Sequence, residues 1–338
     1  MAEDDTSRTR HTTGAVSHAI VTGMRQLVRF ASVLGAAAMC VITMPARTQA
    51  RLQGPQGDLD GLVARVASAA KQYEMAFHDL VADETRLLEN FDQSGRVTKR
   101  REISGDLLVY TSRDSTDTAE YRDVRAIDGK AIEKRSKRAL DLLTRALRSA
   151  STKKELDLIN KEGQRSDIGY SFHGLTIGQP GSWFAKPEEF RIESAGRAQV
   201  GGHEVILLDY QAIDQKKLRS DAAFYKRNGF SASVLRGRLW IDAATSQLRQ
   251  QRLELAFVHP LLAEPVVILH QEATYTESRF GILVPERVVY DIHERGKQAK
   301  NQPPSFFRAA RTTCTYGTFR KFEVETEHTI DIPSLPQR

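Results

Sequence analysis

The chain has 338 residues, 40% of them hydrophobic and 27% charged, with 49 Lys and Arg against 43 Asp and Glu. These proportions belong to a globular chain and exclude wholesale disorder, collagen and coiled coil. Two cysteines exclude a disulfide scaffold and a multi-cysteine zinc module, and a net charge of +6 spread along the chain leaves no nucleic-acid stripe.

Residues 1–23 are polar and read as a leader ahead of a true start at Met24, or as a disordered extension. Residues 24–50 have the order of a secretory signal peptide. Met24-Arg25 and Arg29 supply the basic region, Phe30 to Thr43 is apolar without a charge, Pro45 breaks the helix, and Ala46 to Ala50 ends in a small-residue cleavage site. The apolar run is shorter than the about 20 residues of a transmembrane helix. Cleavage near Ala50 predicts a periplasmic or secreted protein whose sole thiol is Cys314. On a predicted strand, that thiol reads as a small buried hydrophobe.

Residues 51–325 read as one domain, followed by a loose tail over 326–338 that holds Pro333 and Pro336. Its first element is a helix. Leu59, Leu62, Val63, Val66, Ala70, Tyr73 and Phe77 fall on one stripe, and Asp58 and Asp60 sit where the helix dipole favours anions. A long hairpin follows, from Phe77 to Phe91 and Arg96 to Ser112, turning at Asp92-Gln93-Ser94-Gly95. A third strand covers Glu120 to Ile127 and ends at Asp128-Gly129. The period then becomes helical, and a helical insertion is predicted near 137–165.

Strands return with Phe190-Arg191-Ile192 and Val205 to Tyr210 around Gly201-Gly202. Leu235 to Asp242 and Gln247 to Val258 flank Ala243-Ala244-Thr245-Ser246. Val266 to Glu277 and Leu283 to Glu294 flank a turn near Gly281, and the last strand runs from Arg311 to Val324. Charge-rich loops are expected over 214–231 and 296–304. Hairpin connections make the sheet antiparallel, and nine or ten strands must curl. The predicted fold is therefore α+β: a strongly curved antiparallel half-barrel with helices covering its concave face.

Alternation along the strands selects candidate lining residues for an apolar cleft. They are Leu107, Val109, Leu207, Leu239, Ile241, Leu253, Leu255, Phe257, Val288, Tyr290 and Ile292. Trp240 has the opposite parity from Leu239 and Ile241, so it is expected on the other face, packed under a lid or loop and important for stability.

Catalytic patterns are missing. His78, His173, His203, His259, His270 and His293 have no second histidine at i+2, i+3 or i+4. There is no Gly-x-Ser-x-Gly and no Walker loop. No catalytic residue, metal or cofactor is assigned, and a non-enzymatic role is expected. The basic runs Lys99-Arg100-Arg101 and Lys134-Arg135 read as solvated faces, with contact to anionic lipid heads as the lesser reading.

The phrase Gly237-Arg238-Leu239-Trp240-Ile241-Asp242-Ala243-Ala244-Thr245 resembles the strand and turn of the periplasmic lipoprotein-carrier superfamily, the lipoprotein-sorting LolA/LolB-like proteins and related sensor domains. Tyr121-Arg122-Asp123-Val124, Ile127-Asp128-Gly129 and Tyr316 to Phe322 are similar to uncharacterised secreted proteins of soil bacteria. The likeness extends as a pattern over residues 58–324, though this chain is longer than the carriers and adds the 137–165 helices. It implies a half-open barrel that shelters acyl chains. The expected partners are a lipid or a lipidated protein, with an envelope protein as a further possibility, no nucleic acid, and peripheral membrane contact at most. The alternatives are an envelope sensor or interaction domain on the same fold, and an enzyme whose residues converge from distant strands.

Overall fold

The computed structural model describes residues 55–77, 80–111, 118–132, 158–159, 161–169, 187–213, 225–226, 228–297 and 304–321. The expected leader, signal segment and tail lie outside these residues, as do positions 137–157 of the helical insertion and most of both charge-rich loops.

Helix α1 spans Pro55–Phe77. Proline suits its first position because the amide it lacks has no partner in a first turn, and Asp58 lies in that turn. The apolar stripe forms as expected. Leu62 and Val66 pack at one end of the helix and Tyr73 and Phe77 at the other.

Eleven strands follow: β1 (Leu80–Phe91), β2 (Val97–Thr111), β3 (Thr118–Ile127), β4 (Lys130–Ala131), β5 (Phe190–Val200), β6 (His203–Ala212), β7 (Ala232–Asp242), β8 (Leu248–Val258), β9 (Val266–Glu277), β10 (Leu283–Arg295) and β11 (Phe306–Lys321). They form one sheet in the order β4-β3-β2-β1-β11-β10-β9-β8-β7-β6-β5. Two meanders, β1–β4 and β5–β11, are thus joined where the first strand pairs antiparallel with the last. The sheet does not close, since β4 and β5 are its two edges.

The expected hairpins are present, with adjusted limits. Phe77 ends α1 rather than starting β1, because its ring stacks on Tyr73 one helical turn earlier, with ring centroids 5.0 Å apart. β5 continues to Val200, and β11 starts at Phe306, where Phe306 and Phe307 pack against apolar neighbours. The β1–β2 turn is held by the Asp92 carboxylate, which accepts the backbone N–H groups of Ser94 (2.9 Å) and Arg96 (3.0 Å). The Ser94 hydroxyl also donates to it, and these bonds lower the Asp92 pKa to about 2. At the β5–β6 turn Gly201 and Gly202 both have positive φ, as a primed two-residue turn requires.

Register defines two faces of the sheet. The face that carries α1 is called here the helix face. β-Bulges interrupt the ladder at Ala82/Glu84, Ser104/Gly105, Trp240/Ile241 and Pro285/Arg287, among other places. Each adds local twist to a sheet already too wide to stay flat.

Candidate functional site

The helix face carries three apolar clusters. The first joins Leu235, Leu253, Leu255, Phe257, Leu269 and Ile292, with Phe230 stacked on Phe257 and Tyr225 edge-on to it, both from the segment before β7. The second joins Leu80, Leu107, Tyr275, Val288, Tyr290 and Cys314 to Tyr73 and Phe77 of α1. The third joins Leu208, Tyr210, Leu239 and Ile241 to Leu62 and Val66 of α1. A single helix therefore contacts both arms of the sheet.

Nine of the eleven residues selected by alternation fall in these clusters: Leu107, Leu239, Ile241, Leu253, Leu255, Phe257, Val288, Tyr290 and Ile292. The structure places Val109 on β2, with its side chain outside the described set. Leu207 is brought to the other face: it pairs with Trp240, whereas its neighbour Leu208 is fully buried opposite Leu239. β6 reads Val-Ile-Leu-Leu, apolar on both parities, so alternation could not choose between Leu207 and Leu208 there.

Sequence reasoning missed the polar groups that interrupt this face. One cross-strand row reads Gly237, Leu253, Gln271, Tyr290, Thr312 and Leu88. The next reads Leu239, Gln251, Ala273, Val288, Cys314 and Arg86. Gln251, Gln271, Thr312 and Arg86 are all buried. Together they make a polar seam between the first and second apolar clusters. The available signal was a polar residue on an apolar parity, such as Gln251 two places before Leu253.

At the β1–β3 end the seam becomes an ion network. Glu84 accepts a bidentate pair from Arg122, at 2.7 and 3.2 Å. Arg122 also reaches Glu120 at 2.7 Å, and Arg86 reaches Asp167 at 2.8 Å. Burial pushes the Glu84 carboxyl up, but the Arg122 and Arg86 guanidinium charges outweigh it and hold the pKa below the ordinary value. Residues 161–163 are helical, and this described part of the expected insertion lies against β3. A Cβ on Gly163 would stand 3.3 Å from the Glu120 carbonyl oxygen.

The opposite face is polar and paired. Arg238 holds Asp209 through two bonds at 2.6 and 2.8 Å, Arg236 meets Glu254 at 2.9 Å, and Arg311 meets Asp291 at 2.6 and 2.7 Å. A groove of about 440 Å³ on this side is lined by Arg191, Glu193, Asp209, Arg236, Arg238 and Arg252, among others. Trp240 lies here, half-buried, with the Arg252 guanidinium 5.7 Å from its ring centre.

The Trp240-Ile241-Asp242 phrase has a structural explanation. The Asp242 carboxylate accepts the backbone N–H groups of Ala244 (3.0 Å) and Thr245 (2.9 Å) and the Nε of Arg249, which fixes the β7–β8 turn. Ser246 takes positive φ in the same turn. The motif therefore specifies a turn and contributes no group to the helix face apart from Ile241.

Cys314 is a free, buried thiol pushed up to about 12 by burial first and by the Glu84 charge second. Among the described residues, no three His, Cys, Asp or Glu side chains stand together as a metal site. Among the same residues, no helix is long and apolar enough to cross a membrane.

No protein-family model and no curated protein sequence matches the chain. Solved structures to which it is similar include a DUF1329 family protein from Desulfovibrio piger, at 11% identity and TM-score 0.32, over 77% of this chain and 92% of that one. A LolA superfamily protein from Nitrosomonas europaea is similar at 8% identity and TM-score 0.27, over 79% and 94% of the two chains. The Mycobacterium tuberculosis lipoprotein LppX is similar at 8% identity and TM-score 0.24, over 80% and 99%.

Proposed function

We propose that the chain is a non-enzymatic binding or carrier protein of the bacterial periplasm that shelters an acyl chain, free or attached to a protein, on its helix face. The observation that supports this most strongly is the asymmetry of the open sheet. One side carries paired charges at the surface, and the other carries three buried apolar clusters, interrupted by a seam of buried polar and charged groups. A sheet of eleven strands does not stay flat, and a concave apolar surface is the usual form of a lipid or small-molecule site.

On this reading α1 and the helical segment before Gly169 are the lid. α1 packs along the sheet through Leu59, Leu62, Val63, Val66 and Ala67 in its first half and Tyr73, Ala76 and Phe77 at its carboxyl end. The lining residues are those chosen by alternation without Leu207 and Val109, together with the polar seam. The amino-terminal segment with signal-peptide order supports export, and cleavage near Ala50 is part of the proposal.

The test is displacement of a fluorescent fatty acid from purified protein stripped of bound lipid. Saturable uptake in the low micromolar range is expected. Leu255→Trp, which sets a larger ring between Leu235 and Leu269, should weaken uptake about tenfold while leaving the protein folded. A wild-type protein that takes up no fatty acid would contradict the proposal.

A further inference from the structure

Gln251 on β8 and Gln271 on β9 occupy diagonal positions on the helix face. Gln251 is opposite Ala273, and Gln271 is opposite Leu253. They are 2% and 8% exposed, and the Oε1 atoms of both have no hydrogen-bond partner among the described residues. The immediate neighbours across the strands are apolar: Leu239 and Ala273 flank Gln251, and Leu253 flanks Gln271 on one side. Tyr290 flanks it on the other.

A buried amide oxygen left without a donor destabilises a fold, whereas a leucine of similar volume at the same place would not. Two such oxygens at diagonal positions of neighbouring strands, on the face proposed to hold the ligand, mark a place where a donor belongs. We propose that Gln251 and Gln271 form a polar rung that selects the ligand: an amphiphile whose chain lies on the flanking apolar clusters and whose hydroxyl or amide N–H donates to these two carbonyls. A bare hydrocarbon chain would leave both oxygens unmet, so the rung discriminates among acyl compounds by what they carry beside the chain. This inference rests on the acyl-binding reading and specifies its ligand class.

The experiment measures displacement of the same fluorescent fatty acid by three probes of equal chain length: 1-dodecanol, dodecanamide and methyl dodecanoate. The first two offer an O–H or an N–H donor, and the third offers none. Wild-type protein should bind the alcohol, the amide or both about tenfold more tightly than the ester, and which of them is preferred identifies the donor. In Gln251→Leu/Gln271→Leu the preference should disappear while ester binding is retained and the melting temperature rises. Equal binding of all three probes by the wild type would overturn the rung and leave the acyl site standing. Binding of none would overturn both. A double variant that keeps the preference would also overturn the rung, and if that variant fails to fold, the wild-type probe comparison decides alone.

Discussion

Replacing Arg86 tests whether the buried ion network fastens residues 161–169 to the sheet. Arg86 lies on β1 at 4% exposure and reaches the Asp167 carboxylate at 2.8 Å and Glu84 at 3.5 Å. In Arg86→Met the methionine fills much of the stem volume, but Asp167 loses this buried cation. Glu84 is cushioned, because Arg122 still holds it through two bonds. Removing one member of a buried pair typically costs about 3–5 kcal/mol. For a domain of this size that corresponds to a fall in melting temperature of about 5–9 °C. Circular dichroism melts should show it, and limited proteolysis should find new cleavage around Gly163 to Gly169. The exposed pair between Arg165 and Glu162 provides the control, since Arg165→Met should stay within about 1 kcal/mol of wild type. The same network gives a pH sign. The Glu84 pKa is lowered on folding, so its contribution is present above the ordinary carboxylate range and is lost as pH falls through the folded value. Arg86→Met should flatten that acid limb. An Arg86→Met protein that melts with the wild type and resists protease equally would refute the fastening.

Gly237→Ala should destabilise strongly. The new Cβ would overlap the Arg252 carbonyl oxygen and stand 2.5 Å from the Tyr210 hydroxyl, so strands β7 and β8 would have to part, at a cost of about 3 kcal/mol in a thermal or urea melt. Trp240→Ala should be mild, about 1 kcal/mol by the same assay, because the ring is half-buried on the charged face, beneath the Arg252 guanidinium. Cys314 should not react with a thiol reagent in the native protein at pH 8, and should react at once in urea, because burial holds its pKa near about 12.

Much of the fold is legible in the sequence because alternation and turn chemistry are local. Leu253, Leu255 and Phe257 alternate with Arg252 and Glu254, and the structure sorts them onto opposite faces apart from the bulge at Leu255/Ala256. Gly201-Gly202 and Asp92 to Gly95 are turns as read, since positive φ and a capping carboxylate are short-range requirements. The pairing of β1 with β11 is not local. Thr85 and Thr315 meet across 230 positions, and nothing in either strand names its partner. The seam escaped for a different reason. Gln251, Gln271, Glu84 and Arg86 occupy apolar parities, where pattern reading smooths over an exception. Departures of this kind tend to be the places where a fold gives up stability for function. Leu207 shows the converse failure, in which an apolar residue on either parity looks equally suited to the core.

The most direct measurement is native mass spectrometry of the chain expressed with export and purified without detergent. An acyl-binding protein should arrive with a noncovalent adduct that tandem dissociation identifies as a lipid or acylated peptide bearing a hydroxyl or amide group. Stripping the adduct and adding back dodecanamide or 1-dodecanol should restore a one-to-one complex. A single species at the bare polypeptide mass, unchanged after incubation with every acyl probe, would contradict the account and identify the helix face as ordinary packed core.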